Sequence, residues 1–297
     1  MTLIELAEEK DFDAVLAGYR DRPPDEVLAA ADRLREDDIY NVAIELYRWL
    51  LEREESAAAH FGIGQCHGKI YDYETALRHL DRAFELDPRR SDGASYYAYI
   101  LERHGRMDDA DRWYRRALEG IETDDLWARS HYAWFLEKWN RTEDAARAYE
   151  DVLERNPSYT WASKRYALLL HRQGGDEAAR RLLRESVERA PGNRFAALNY
   201  LEYLLLTRSD EEYVAFRATL DPGDGPPWYP VVLDLFDYYR EHLLPNRPDP
   251  ERLARWEADA AALKDSVHRD FDDLTELLAE HDDDVETWRR MIQLLLK

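Results

Sequence analysis

The chain has one cysteine, and it stands beside a histidine in Gly64-Gln65-Cys66-His67-Gly68. A thiol next to an imidazole has the composition of a nucleophile and its base. Neighbouring side chains on a helix point apart, so adjacency in sequence works against that pairing. His60, Cys66 and His67 have the atoms to ligate a metal, but their spacing follows no standard zinc pattern and further ligands are missing. The run Asp282-Asp283-Asp284 offers carboxylates without the remaining positions of a calcium loop. It reads better as the acidic start of a helix, where negative charge complements the dipole. No glycine-rich phosphate loop, HExxH helix or GxSxG elbow is present. These residues predict no catalytic centre, no bound metal and no cofactor.

The elements that must position any working side chains are helices. Of the 297 residues, 45% are hydrophobic and 35% charged, which is enough apolar content for a packed core. Glycine and proline number 12 each, and helix interiors tolerate few of either. The net charge of -22 opposes direct contact with nucleic acid or anionic lipid. A single cysteine forms no disulfide within the chain, so a reducing compartment is expected. The first residues, Met1-Thr2-Leu3-Ile4-Glu5, lack a basic region and a signal-type apolar run. The longest apolar clusters, such as Ala167-Leu168-Leu169-Leu170, are far too short to cross a bilayer. A cytoplasmic protein without membrane insertion is the expectation.

A repeat runs through the chain. Ala43, Ala76, Ala110, Ala145 and Ala179 recur at intervals of 33, 34, 35 and 34 residues. Four residues after each come Tyr47, Leu80, Tyr114, Tyr149 and Leu183, and three beyond those Leu50, Ala83, Ala117, Val152 and Ser186. Spacings of four and then three trace one helical face. A helix precedes each of these, with Ala31, Gly64, Ala98, Ala133 and Ala167 in register and Leu34, His67, Leu101, Leu136 and Leu170 three residues on. A small residue at one fixed point lets two helices approach closely. Turns such as His104-Gly105-Arg106-Met107-Asp108-Asp109 join the helices, with glycine as C-cap and the following aspartate as N-cap. Asp87-Pro88, Asn156-Pro157 and Ala190-Pro191 close units.

This pattern resembles the tetratricopeptide repeat family. The clearest match is Leu126 to Pro157, carried by Tyr132-Ala133, Leu136, Ala145, Tyr149 and Asn156-Pro157. Residues 57–88 and 160–191 follow closely, 91–122 and 24–55 lack the final proline, and 194–222 are degenerate. The resemblance implies an all-α, right-handed superhelical solenoid of antiparallel helix pairs, because one pair cannot bury its apolar face alone. It also implies that the first helix of each pair lines a concave groove. On that face the residues singled out for partner binding are Phe61, Tyr99, Trp127, Trp134, Trp161, Lys164 and Phe195. Aromatic side chains are typical interface anchors, although those in the first turn, Trp127, Trp161 and Phe195, also suit packing between units. A ladder of cations, Lys69, Arg103, Lys138 and Arg172, ends successive first helices. Its simplest role is to complement the helix dipole, and its alternative role is contact with an anion on a partner. The lysine and asparagine of the family's carboxylate clamp are absent: Leu28/Asp32, Phe61/Gln65 and Ser95/Tyr99 stand there.

Three regions are expected: 1–22, an N-terminal helical cap; 23–222, five to six helix pairs; and 223–297, a helical extension outside the repeat period. The extension could cap the array, fill its groove or pair with a second copy. The expected function is a non-enzymatic scaffold or adaptor holding a partner peptide or helix in the aromatic groove. The alternative is an acidic regulator or neutralising protein, of inhibitor or immunity type, that covers a basic protein. In both readings the partner is another protein or peptide.

Overall fold

The computed structural model describes residues 17–19, 21–90, 93–119, 125–223, 225–263, 271, 274–275, 278 and 285–295. The expected N-terminal cap, apart from 17–19 and 21–22, and the run Asp282-Asp283-Asp284 lie outside the described residues. Every element among the described residues is helical. The chain divides into two compact units, Met1–Asn140 and Arg141–Lys297.

The first unit contains α1 (Pro24–Glu36), α2 (Tyr40–Leu51), α3 (Ala57–Lys69), α4 (Tyr73–Leu86), α5 (Ala94–Arg103), α6 (Met107–Glu119) and α7 (Leu126–Lys138). Each helix packs on the next, and the first helices α5 and α7 lie side by side. The small residues sit at the crossings. Ala31, Ala43, Ala76, Ala98, Ala110 and Ala133 are wholly buried. A Cβ added to Gly64 would lie 2.7 Å from Leu80 Cγ and 3.2 Å from the Ala76 carbonyl oxygen, so glycine sets how closely α3 and α4 approach. Tyr47 and Tyr114 fill the core one turn further along. Their hydroxyls reach polar partners, Tyr47 Oη donating to Asp32 at 2.7 Å and Tyr114 Oη to Glu102 at 3.2 Å.

The second unit contains α8 (Thr142–Arg155), α9 (Thr160–Arg172), α10 (Asp176–Arg189), α11 (Arg194–Leu206), α12 (Asp210–Arg217), α13 (Trp228–Tyr238), α14 (Pro250–Ala261) and α15 (Val285–Leu295). The second helix of the degenerate pair, α12, is only eight residues long. A π-helical turn, Tyr239–Leu243, extends α13 before Pro245. One apolar core joins the repeat helices to the extension: Leu168, Leu198, Leu201 and Leu205 share it with Phe236, Trp256, Phe271, Leu274 and Trp288.

One backbone device ends the first helix of every pair. Asp38, Tyr71, Gly105, Asn140, Gly174 and Arg208 all have positive φ, between 55° and 85°. A left-handed residue just past a helix lets the next amide reach back and satisfy an orphan carbonyl. That amide is Ile39 to Leu34, Asp72 to His67, Arg106 to Leu101, Gly175 to Leu170 and Ser209 to Leu204. The expected glycines are at this position in two pairs. The aspartates that follow do not cap as expected: Gly175 is the N-cap of α10 and Asp176 is already its first residue, while Asp109 pairs with Arg106 at 2.7 Å inside α6. Side-chain caps do appear at Ser56, Asp72, Asp125, Asn193 and Asp249.

Candidate functional site

The first helices α5 and α7 place an aromatic strip on one side of the first unit. Trp127 and His131 are one turn apart on α7 and stack with centroids 3.9 Å apart. Tyr99 on α5 meets both edge-on, at 6.4 Å and 6.3 Å. Trp134 continues the strip at 6.3 Å from His131, and Tyr96 flanks Tyr99 at 6.2 Å. Trp127 is 38% exposed, while Tyr99, His131 and Trp134 are partly buried. His131 Nδ1 lies 2.9 Å from the Trp127 carbonyl oxygen, which only accepts, so Nδ1 carries the proton. Burial lowers the His131 pKa and keeps the ring neutral, with Nε2 as its acceptor. The strip therefore offers large apolar faces with a neutral imidazole among them. His131 was not singled out from the sequence, although its spacing from Trp127 and Trp134 places it on their face.

The cation ladder is largely committed to the fold. Lys138 Nζ lies 2.9 Å from Oε1 of buried Glu102 and 4.3 Å from the Trp134 ring centroid. Its ammonium compensates a carboxylate that would otherwise be buried unpaired, a situation that costs several kcal/mol, about 3–5 by analogy with broken buried pairs. Arg103 donates from Nε to Tyr73 Oη at 3.3 Å and lies over that ring at 5.7 Å. Lys69, Arg103 and Arg172 are exposed. Lys69, Arg103 and Lys138 belong to the first unit and Arg172 to the second.

Other expected groove residues have different surroundings. Phe61 is 7% exposed and packs in the first unit rather than on an open face. Its ring meets Phe84 and Tyr96 edge-on and lies under the Arg90 guanidinium at 4.2 Å. Gly93 makes this packing possible, because a Cβ there would fall 1.9 Å from Phe61 Cζ. In the second unit Lys164 is held by Glu202 at 2.9 Å, and the two side chains are 13% and 5% exposed. It is an internal ion pair rather than an open contact. Leu274 of the extension lines a small cleft with Lys164, Leu168 and Glu202. The first-helix face there is thus covered by the chain's own extension. Phe195 is 38% exposed and packs beside Trp228 at 5.5 Å, and Trp161 is half-buried.

The cysteine–histidine pair has no geometry for nucleophilic work. Cys66 is fully buried, and burial pushes its thiol up to about 12. His67 Nδ1 meets Asp72 at 3.1 Å. His60 faces His79, with their Nδ1 atoms 2.9 Å apart, and its Nε2 lies 3.1 Å from Glu55. Among the described residues no three of His, Cys, Asp or Glu gather in a form that holds a metal ion, and no helix is long and apolar enough to cross a membrane.

Family models described as tetratricopeptide repeat match residues 71–125 and 140–218. No curated protein sequence matches the chain. Among solved structures, pilF of Pseudomonas aeruginosa aligns with a TM-score of 0.56 and 16% identity, over 68% of this chain and 91% of its own. The MamA protein aligns with a TM-score of 0.50 and 16% identity, over 56% of this chain and 90% of its own. At such identities the likeness concerns the fold. The matched segments coincide with the helix pairs and their left-handed turns, and residues 71–125 and 140–218 are tetratricopeptide repeats.

Proposed function

We propose that the protein is an interaction scaffold and that the strip of Tyr99, Trp127, His131 and Trp134 in its first unit binds a partner peptide or helix. The observation behind this reading is the continuity of that strip on two adjacent first helices, with Trp127 left 38% exposed. Folding normally buries aromatics, and a contiguous set left partly open at the surface supports a binding role. The family's fold is built by stacking helix pairs and presents such faces without needing a catalytic group.

The test is affinity capture from native extract with wild type and Trp134→Ala, at about 0.1 M and about 0.5 M salt, where screening lengths differ roughly twofold. A partner held through the strip is retained by wild type at both salts and lost by the variant at both. Loss with salt alone, with the variant indifferent, overturns this reading in favour of charge-driven binding to a basic protein. A melting curve for the variant that matches wild type is the control. Trp134 touches Lys138, which itself compensates Glu102, so a fall in stability would signal damage to that ion pair instead.

A further inference from the structure

A second candidate site lies in the second unit, where α11 ends and α12 and the π-helical turn begin. Leu204, Leu205, Tyr213 and Leu244 form the apolar part of a cleft of about 180 Å³. That is room for a leucine-sized group. Arg208, Asp210 and Arg240 complete the wall.

Three features meet at this cleft. Arg208 occupies the left-handed position at φ 55°, where four other pairs use glycine, asparagine or aspartate and one uses Tyr71. A left-handed arginine is disfavoured by backbone sterics, and the turn holds it there. It is exposed, and among the described residues no ion pair or hydrogen bond engages its guanidinium. The second feature is the π-helical turn Tyr239–Leu243, a rare geometry often found at functional sites, which carries Arg240. The third is Arg240 itself. Its Nη1 and Nη2 are taken by Asp210 at 3.0 Å and Glu241 at 2.6 Å, but its buried Nε has no acceptor. Buried donors are rarely left unsatisfied without a reason.

We propose that this cleft binds a carboxylate carried on a short branched aliphatic group. The aliphatic part covers Leu204, Leu205 and Leu244, and the carboxylate accepts from Arg208 and from Nε of Arg240. Asp210 opposes an anion, but its side chain is 67% exposed and already paired with Arg240. Glu241 is shared between Arg240 and Arg252, the latter at 2.5 Å. The uncommitted cation is Arg208, which makes it the decisive residue. The ligand's chemistry is common to a free branched-chain acid and to the C-terminal leucine of a protein.

The experiment titrates the full chain by calorimetry with 4-methylpentanoate, with its uncharged amide, and with an N-acetylated tripeptide ending in a free-acid leucine. Arg208→Gly and Arg208→Lys are compared with wild type. At least one acid should bind wild type, and the amide should bind about tenfold more weakly or worse, the scale of a lost hydrogen bond to a charged group. Arg208→Gly should lose binding by a similar factor while its melting temperature stays level or rises, because glycine adopts this φ without strain. Arg208→Lys should recover part of the affinity. Tighter binding of the tripeptide assigns the site to a protein C-terminus, and equal or tighter binding of the small acid assigns it to a free metabolite. The proposal is overturned if wild type binds neither acid, if acid and amide bind alike, or if Arg208→Gly binds as wild type does.

Discussion

His79 packs between two other histidines of the first unit, His60 with Nδ1 atoms 2.9 Å apart and His67 with parallel rings 6.3 Å apart. One ring of the His60–His79 contact must donate and the other accept, so double protonation breaks it. Burial, followed by the charges of His60, His67, Arg48 and Arg78, lowers the His79 pKa from 6.5 to about 4. A folded pKa below the unfolded one means that the unfolded chain binds the extra proton first. The stability this group contributes is therefore complete above pH 6.5 and is lost as pH falls towards 4. Melting curves across that window should decline more steeply for wild type than for His79→Gln, and parallel curves would refute the assignment. Tyr71 carries a different liability. It holds φ 64° while 75% exposed, and its ring meets Tyr73 edge-on at 6.2 Å. Asparagine already serves the same turn position at Asn140. Tyr71→Asn should raise stability by about 0.5–1 kcal/mol, the part of the left-handed penalty that asparagine escapes, as read by denaturant melts.

At the scale of elements, the approach of α3 to α4 depends on Gly64. The added methyl of Gly64→Ala would meet Leu80 at 2.7 Å and a backbone oxygen at 3.2 Å, and the backbone cannot swing aside. The substitution should destabilise by about 1–3 kcal/mol, the usual range for overpacking. Gly105→Ala makes an informative comparison. A Cβ there meets nothing within 4 Å, so its penalty comes from φ +85° alone. The Gly64 variant should carry a shifted packing signature, such as altered near-ultraviolet circular dichroism, and the Gly105 variant should lose stability without one. Similar near-ultraviolet spectra would show that the α3–α4 crossing has slack. The helix pairs were legible in sequence because their signal is local and repeated: a buried alanine or glycine, a large residue one turn on, and a short turn. Turn chemistry was legible only where glycine or asparagine advertised it. Tyr71 and Arg208 adopt the same left-handed conformation without any compositional cue, since the neighbouring helices impose it.

For the whole molecule, a net charge of -22 spread over 297 residues works against compaction by self-repulsion. Raising ionic strength from about 0.05 to about 0.5 M shortens the screening length severalfold and should raise the melting temperature. No rise would mean that local ion pairs, such as Lys138–Glu102 and Lys164–Glu202, already balance the charge. The sequence by itself determined the repeat period, the helix pairs, the buried small residues and the absence of long apolar spans, because each depends on residues within one or two turns of each other. Only the tertiary structure decided which first-helix faces stay open. Phe61 is covered because Gly93, 32 residues on, starts α5 beneath its ring. Leu168 is covered because it shares a core with Leu274 of the extension, which also lines the small cleft beside Lys164. Tyr99, Trp127 and Trp134 keep a partly open strip. Burial at a given position is set by whatever segment arrives from far along the chain, and periodicity carries no record of that arrival.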